Sequence, residues 1–211
     1  MSKQAIIKNS ISAQSIIKTC DKVIDHYHQS DILEPEIPSI NEHGSLNDII
    51  AVKCLIDTTQ WHLEDEVRSP QLTPAEGWAF KKKIDVYNQK RTDVVELIDQ
   101  ALFDHYSTFE KREDASINSE TPGWIIDRLS ILCLKIYHMK EQVNRKDVSQ
   151  SHIDKCKAKL DILLEQQMDL KSAFDHLMTD LLEGKKYLKL YLQMKMYNDE
   201  ALNPVFYKRK R

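Results

Sequence analysis

The chain has 211 residues and is 41% hydrophobic and 30% charged, which is too apolar for a disordered protein and long enough for one hydrophobic core. Only 4 glycines and 6 prolines are present, too few turn residues for a β-sandwich, so helices are the expected structure. A net charge of −3 gives no overall field that favours nucleic acid or anionic lipid, so nucleic acid is not an expected partner.

The N-terminal sequence lacks the features of a targeting segment. No continuous apolar run and no small-residue cleavage site follow Met1, and no stretch approaches the ~18 apolar residues of a membrane span. The 4 cysteines occur singly and are expected to be buried structural thiols. The sequence therefore predicts a cytoplasmic protein without a membrane span.

The first half of the chain predicts three helices. The first covers residues 4–28, and a loop with two prolines follows it. Ser45, a residue type that caps helices, opens a second helix over residues 45–68. A capping box in residues 73–76 opens a third helix over residues 74–106.

The second half predicts two more helices, which follow a polar, aperiodic stretch at residues 110–120. Thr121 and Pro122 repeat the cap and proline signal and open a fourth helix that continues to about residue 145. A long fifth helix then continues to about residue 197, with Gly184 in its apolar register as a bend or packing notch. Short connections favour antiparallel neighbours, so the predicted fold is all-α, an up-and-down bundle of four main helices plus the N-terminal one.

The pattern divides the chain into three parts. Residues 1–44 carry the N-terminal helix and the proline-containing loop, residues 45–205 form the helical bundle domain, and residues 206–211 form a basic tail. The basic residues near the C-terminus are interpreted as a solvated surface.

Charged side chains interrupt helix faces that are otherwise apolar. Residues 131–139 are apolar on nearly every side, so Lys135 and His138 are expected inside the bundle. Asp127 and Arg128 precede them by one or two turns on the same face. Burying charge is costly unless it is paired, so these groups are expected either to neutralise one another or to line a pocket.

The second and third helices have polar positions that match those of the fourth. One face of the second helix carries Asp57, Trp61, Glu64 and Arg68, with His62 and Asp65 beside it. The third helix carries Asp85, Asn88, Gln89, Arg91, Thr92, Glu96 and Asp99. Counting from the turns at ~1.5 Å per residue places Asp57 opposite about Asp85, and Lys135 opposite about Asp93.

Motifs that would indicate catalysis are absent from the sequence. No glutamate has a histidine three residues later, and no H-E-x-x-H, P-loop or G-x-S-x-G pattern occurs. The histidines of Asp25-His-Tyr-His28 have no third ligand nearby and are expected at the surface. A weaker hypothesis for this chain is a divalent ion such as Mg²⁺, held by Asp85, Glu96 or Asp99 together with carboxylates from other helices.

Four strings of residues carry a resemblance to a known family. They are Trp61-His-Leu-Glu-Asp65, Asn88-Gln-Lys-Arg-Thr-Asp-Val-Val-Glu-Leu-Ile-Asp99, Asp127-Arg-Leu-Ser-Ile-Leu-Cys-Leu-Lys-Ile-Tyr-His138 and Lys195-Met-Tyr-Asn-Asp199. Over residues 45–205 the chain resembles the bacterial family known as domain of unknown function 4254. The resemblance implies an α-helical cytoplasmic protein whose genes often lie near glycosyltransferase genes of envelope polysaccharide synthesis, and it implies no particular activity.

The leading hypothesis is an accessory or ligand-binding protein that binds a phosphorylated small molecule, such as a nucleotide-sugar or sugar phosphate, or a glycosyltransferase-type partner protein. Four basic groups, Arg91, Arg128, Lys135 and His138, would contact the anionic group, and Asp85, Glu96 and Asp127 would orient them. The complete predicted set is Trp61, Glu64, Asp85, Asn88, Arg91, Thr92, Glu96, Asp127, Arg128, Lys135 and His138. Two alternatives are a Mg²⁺-dependent phosphohydrolase or transferase of nucleotides or sugar nucleotides, and a purely structural interaction protein.

Overall fold

The structure is a computed structural model that describes residues 11–30, 32–40, 44–194 and 200–208. Within these ranges it contains six helices and one pair of two-residue strands, so the predicted all-α class is confirmed. The helices are α1 Ala13–Tyr27, α2 Leu46–Glu66, α3 Pro74–Tyr106, α4 Pro122–Asn144, α5 Gln150–Leu182 and α6 Pro204–Tyr207. The strands are β1 Ser116–Ile117 and β2 Lys186–Tyr187.

Side-chain caps set the starts of the main helices. Ser45 and Asp48 form a capping box at the start of α2, and Thr73 and Glu76 form one at the start of α3. Thr121 caps α4, where the side chain accepts a hydrogen bond from the backbone of Trp124. The predicted starts of these three helices are therefore confirmed.

The first helix begins later than its apolar pattern predicts. Ser12 caps α1 and forms a capping box with Ser15, so the helix starts at Ala13. Residues 4–10 of the predicted helix lie outside the described residues. At the other end of the chain, residues 209–211 of the predicted basic tail also lie outside them.

The bundle consists of two helical hairpins, and α1 packs against both. The α2 helix packs on α3, α4 packs on α5, and α1 contacts both α2 and α4. The helices α3 and α4 are also in contact, so α4 has neighbours on most of its sides. All four cysteines are buried and free, as predicted.

None of the helices in the described ranges combines the length and the apolar character that crossing a membrane requires.

The fifth helix ends at Leu182, so the prediction that it continues through Gly184 is wrong. Gly184 has a φ of 68°, a left-handed conformation that glycine adopts without penalty. Its N–H donates to the carbonyl of Leu181, and the N–H of Lys185 donates to the carbonyl of Asp180 at 2.9 Å. This pair of hydrogen bonds is the Schellman arrangement, which terminates a helix by satisfying its last carbonyl groups.

The polar stretch before α4 is held by the segment that follows α5. The strands β1 and β2 pair in parallel, with Ser116 opposite Lys186. Beside them, the N–H of Arg112 donates to the carbonyl of Gly184 at 3.1 Å. These contacts were not predicted, because a two-residue strand has no periodicity to detect.

We expect Gly184→Ala to lower the free energy of unfolding by about 1–3 kcal/mol. The added Cβ would lie 2.2 Å from the carbonyl oxygen of Glu110, and the backbone would stay in the left-handed region. Urea unfolding of both proteins measures the difference. Gly77→Ala is the control, because its Cβ would meet nothing within 4 Å, and it should raise stability by up to ~1 kcal/mol. Equal unfolding midpoints for Gly184→Ala and wild type would contradict this account of the α5 end.

Candidate functional site

Four ionisable side chains from three helices meet in the interior of the bundle. Lys53 and Asp57 come from consecutive turns of α2, Arg91 comes from α3, and Asp127 comes from α4. Lys53 is completely buried, and Asp57 and Asp127 are 2% and 3% exposed. The two positive and two negative charges balance, which is the condition under which an interior tolerates ions. We call these four residues the ionic network.

Each charge of the ionic network is paired with an opposite one. Lys53 Nζ donates to Asp57 Oδ2 and lies 2.8 Å from Asp127 Oδ1. Arg91 donates through Nε and Nη2 to the two oxygens of Asp127, with Nε 2.6 Å from Oδ1. Ser130 Oγ donates to Asp57 Oδ2 at 2.6 Å. Because the Arg91–Asp127 contact is bidentate, it fixes the plane of the guanidinium group.

The two carboxyl groups of the network respond differently to burial. Burial raises the pKa of Asp57 above its ordinary value, although the charge of Lys53 opposes this. Burial acts on Asp127 in the same way, but hydrogen bonds from Arg91 and the charge of Lys53 outweigh it and lower the pKa of that carboxyl. Of the two carboxyl groups, Asp127 is therefore the one whose ionised form the fold stabilises.

A cavity of about 290 Å³ lies against the network, and we call it the Arg91 cavity. Its lining consists of Asp57, Gln60, Trp61, Glu64, Asp65, Arg68, Arg91 and Ile131. The α2 face predicted to be polar therefore forms one wall of a cavity, while Asp57 also neutralises a buried lysine. Both expected outcomes for charge on these faces, pairing and pocket lining, occur in one place.

Two residues that line the Arg91 cavity each have a buried oxygen without a hydrogen-bond partner in the part of the chain that the structure describes. Asp57 Oδ1 and Gln60 Oε1 are buried and find no hydrogen-bond partner among the described residues. The amide of Gln60 is oriented by Asn88, whose Oδ1 accepts from Gln60 Nε2 at 2.8 Å. At the mouth, Arg68 Nη1 pairs with Glu64 at 2.8 Å, and both side chains are well exposed.

Trp61 lines both the Arg91 cavity and a second cavity. Its indole stacks on the ring of His138, with centroids 5.1 Å apart and an interplanar angle of 9°. The second cavity, of about 350 Å³, is mostly apolar and contacts Trp61, Lys135 and His138. His138 is therefore positioned beside the Arg91 cavity rather than within its lining.

The prediction that Arg128 and Lys135 lie inside the bundle is wrong, because both are exposed. Arg128 pairs with Glu120 at 2.9 Å on the surface. Neighbouring helices cover most sides of α4, and the residues on those sides are mostly apolar. One narrow edge of the helix remains exposed to solvent. Arg128, Ile131 and Lys135 follow one another along that edge at helical spacing, so the apolar sequence around Lys135 does not imply its burial.

The predicted metal carboxylates have separate roles. Asp85 pairs with Lys81 on the surface, and Glu96 Oε1 accepts from the N–H of Gln193 at 2.8 Å. Asp99 lies about 21 Å from Asp85 along α3 at ~1.5 Å per residue. It is buried at the start of α4, where it accepts from Gly123 N–H at 2.7 Å. In the described part of the chain these three carboxylates do not form a group that could hold one ion.

The remaining predicted residues fall near the network without entering the cavity lining. Thr92 is buried and donates to the carbonyl of Asn88 at 3.0 Å, within its own helix. The predicted alignment of α2 with α3 is displaced along the helix axis. Asp57 was expected opposite Asp85, but its Oδ1 lies 3.7 Å from Arg91 Nε. This is an offset of about six residues, or somewhat under two helical turns.

Sequence reasoning missed Lys53, although a signal for it exists. Residues 49–56 contain one charged residue among apolar and small ones, the same pattern that drew attention to α4. Asp57 follows Lys53 by four residues, the spacing of a helical ion pair, and both side chains are buried. An apolar helix segment with an internal Lys–Asp pair at this spacing indicates a buried ion pair.

The fold and the site define an all-α bundle protein with a charged interior and an adjoining polar cavity. Comparison with known families shows that residues 47–190 match the family described as protein of unknown function (DUF4254), and the chain belongs to that family. The resemblance to this family is thereby confirmed over residues 47–190, which contain the first three of the four sequence strings. No curated protein and no solved structure matches the chain.

We expect Asp127→Asn to lower the free energy of unfolding at pH 7 by about 3–5 kcal/mol, since it leaves Lys53 and Arg91 without their shared anion. The pKa of Asp127 is lower in the folded than in the unfolded chain, so its contribution is present above the unfolded value and lost as pH falls through the folded value. Urea unfolding between pH 7 and pH 3 measures the loss of unfolding free energy in Asp127→Asn relative to wild type. This loss should be constant down to about pH 5 and become smaller below pH 3.8, the ordinary pKa of aspartate.

Asp85→Asn is the matched control for this measurement. It removes an exposed aspartate paired with Lys81, and exposed pairs contribute about 0–1 kcal/mol. A loss of similar size in both variants would show that the position of Asp127 has no special importance.

Proposed function

We propose that this chain is a ligand-binding protein whose Arg91 cavity takes a phosphorylated sugar, either a sugar phosphate or a nucleotide-sugar. The observation that carries the proposal is the state of Arg91. Its side chain remains 29% exposed at the cavity while Asp127 holds it from behind. A cation that is oriented in advance binds an anion at a smaller entropic cost than a mobile side chain does.

Arg91 supplies the anion contact. Asp127 occupies Nε and Nη2, which leaves Nη1 as a donor on a residue that lines the cavity. Arg68, also in the lining, is the second cation and is exposed enough to turn from Glu64 to a phosphate. Arginine pairs well with phosphate because its planar fork matches the geometry of the oxygens.

Trp61 suits the sugar, and so do two acceptors without a hydrogen-bond partner in the described part of the chain. The flat indole gives an apolar surface for the C–H face of a pyranose ring. Asp57 and Gln60 line the cavity, and their buried Oδ1 and Oε1 atoms lack hydrogen-bond partners within the described ranges, so a sugar hydroxyl that reached either atom would satisfy it. A bare phosphate at neutral pH offers few such donors, so this part of the cavity favours a ligand with hydroxyl groups.

The charge at the mouth supports the same ligand class. Glu64 and Asp65 exceed Arg68 by one negative charge, and the interior network is neutral. A small, highly charged anion would be repelled by this mouth, whereas a larger ligand can place its anionic group near the arginines and its hydroxyl groups near the carboxylates.

Phosphorylated sugars are the substrates of glycosyltransferase pathways, which agrees with the context that the family resemblance implies. We place the proposed binding function in the cytoplasm, as part of such a pathway. The dispersed positions of Asp85, Glu96 and Asp99 do not support Mg²⁺-dependent hydrolysis at those residues.

We expect uridine diphosphate glucose or glucose 1-phosphate to raise the Tm of the protein, and glucose or inorganic phosphate alone to raise it less. Trp61→Leu should abolish most of the shift by removing the surface for the sugar ring. Arg68→Ala should weaken binding about 10-fold, the effect of losing one charged hydrogen bond. Thermal unfolding and isothermal titration measure both effects.

Two matched variants control for general damage to the protein. Trp78 is 62% exposed near the start of α3, and Trp78→Leu should leave binding unchanged. Arg128→Ala removes an exposed arginine of the same type that pairs with Glu120 outside the cavity lining. Binding that survives Trp61→Leu and Arg68→Ala, or that is lost equally in the two control variants, would rule out this site for the ligand.

A further inference from the structure

Three histidines that are far apart in the sequence meet beside Trp61, and none of them lines the Arg91 cavity. His28 is the C-cap residue of α1, His62 belongs to α2, and His138 belongs to α4. One ring nitrogen from each lies within 4.8 Å of the other two. The prediction that His28 is a surface residue without further ligands is wrong, because two other helices supply the missing histidines. We call these residues the histidine cluster.

Each ring of the cluster is stacked on its own aromatic side chain. Tyr137 stacks on His28 with centroids 4.3 Å apart. Tyr27 stacks on His62 at 5.1 Å with an interplanar angle of 10°, and the indole of Trp61 stacks on His138 as described above. The stacking restricts rotation of all three rings, so their nitrogens converge in a fixed geometry.

Hydrogen bonds orient the outer nitrogens of two of these rings. His28 Nδ1 donates to the carbonyl of Ile24 at 2.7 Å, and His138 Nδ1 donates to Glu141 Oε2 at 2.7 Å. With their protons on Nδ1, both rings carry a lone pair on Nε2. A carbonyl or carboxylate behind a histidine is the usual support of a metal-ligating imidazole.

The inner nitrogens point into the cluster. His28 Nε2 lies 3.1 Å from His62 Nε2. His138 Nε2 is buried and finds no hydrogen-bond partner among the described residues.

The geometry points to a transition-metal site in which His28, His62 and His138 ligate one Zn²⁺ ion through their Nε2 atoms. Tetrahedral Zn²⁺ with Zn–N bonds of about 2.0–2.1 Å needs ligand nitrogens roughly 3.3 Å apart, close to the His28–His62 separation. His62 must carry its proton on Nδ1 in the bound state, a change of tautomer that releases no proton. Three nitrogen ligands leave one coordination position for water or a further ligand.

This inference does not depend on the proposed sugar site. The alternative is that the cluster is only an aromatic packing contact between α1, α2 and α4. That alternative leaves His138 Nε2 buried without a partner, whereas a metal ion would satisfy it. Magnesium is not the expected ion, because it prefers oxygen ligands.

The test is a metal titration of the full chain, stripped with a chelator and kept free of organic ligands. We expect about one equivalent of Zn²⁺ per chain, measured in competition with a chromophoric chelator, and a tetrahedral Co²⁺ absorption spectrum. Glu141→Gln should weaken Zn²⁺ binding by about 10-fold to 100-fold, since it removes the support of one ligand. His62→Ala and His138→Ala should weaken it more.

His26→Ala is the matched control. His26 is exposed on α1 two residues before His28, so its removal should leave the Zn²⁺ affinity unchanged. Circular dichroism checks that each variant is folded. Wild-type protein that binds less than one equivalent, shows no tetrahedral Co²⁺ spectrum, or loses affinity equally in His26→Ala and His62→Ala would overturn the inference. The Zn²⁺ titration of the wild-type protein tests the metal site even if a variant does not fold.

Discussion

The placement of Lys53 beside two carboxylates is the constraint on which the rest of the interior depends. A completely buried ammonium group requires Asp57 and Asp127 at contact distance, and the second of these also holds Arg91. The network therefore joins α2, α3 and α4 at one height of the bundle. Apolar residues of similar volume would often stabilise a core equally well. What the ions add is a specific axial position and rotation of three helices, and with it the direction in which Arg91 faces the cavity.

Local signals in the sequence were sufficient to predict most of the fold. The capping box of Thr73 and Glu76 and the cap at Thr121 each act within one helical turn, so they identify helix starts without knowledge of the tertiary structure. The polar face of α2 from Asp57 to Glu64 was also predictable, because residues at this spacing share a side of any helix. The end of α5 at Leu182 was missed, since the apolar spacing continues beyond Gly184, whose left-handed backbone terminates the helix.

The partners of these side chains across helices could not be predicted from spacing. Whether Asp57 meets Asp85 or Arg91 depends on an axial offset of under two turns, which is set by loop length and packing. Whether Lys135 is buried depends on which edge of α4 its neighbours leave open. The histidine cluster required the end of α1 to reach His62 and His138, and no pattern within a single helix contains that information.

The parallel pairing of β1 with β2 has a consequence for how the chain folds. It joins Ser116 to Lys186, two positions separated by the whole α4–α5 hairpin. A contact between positions so far apart in the sequence has a large entropic cost of loop closure. This cost falls once the intervening hairpin has become compact. The connection between α3 and α4 should thus acquire its order late, and its amide protons should exchange with solvent sooner than those of the helix interiors.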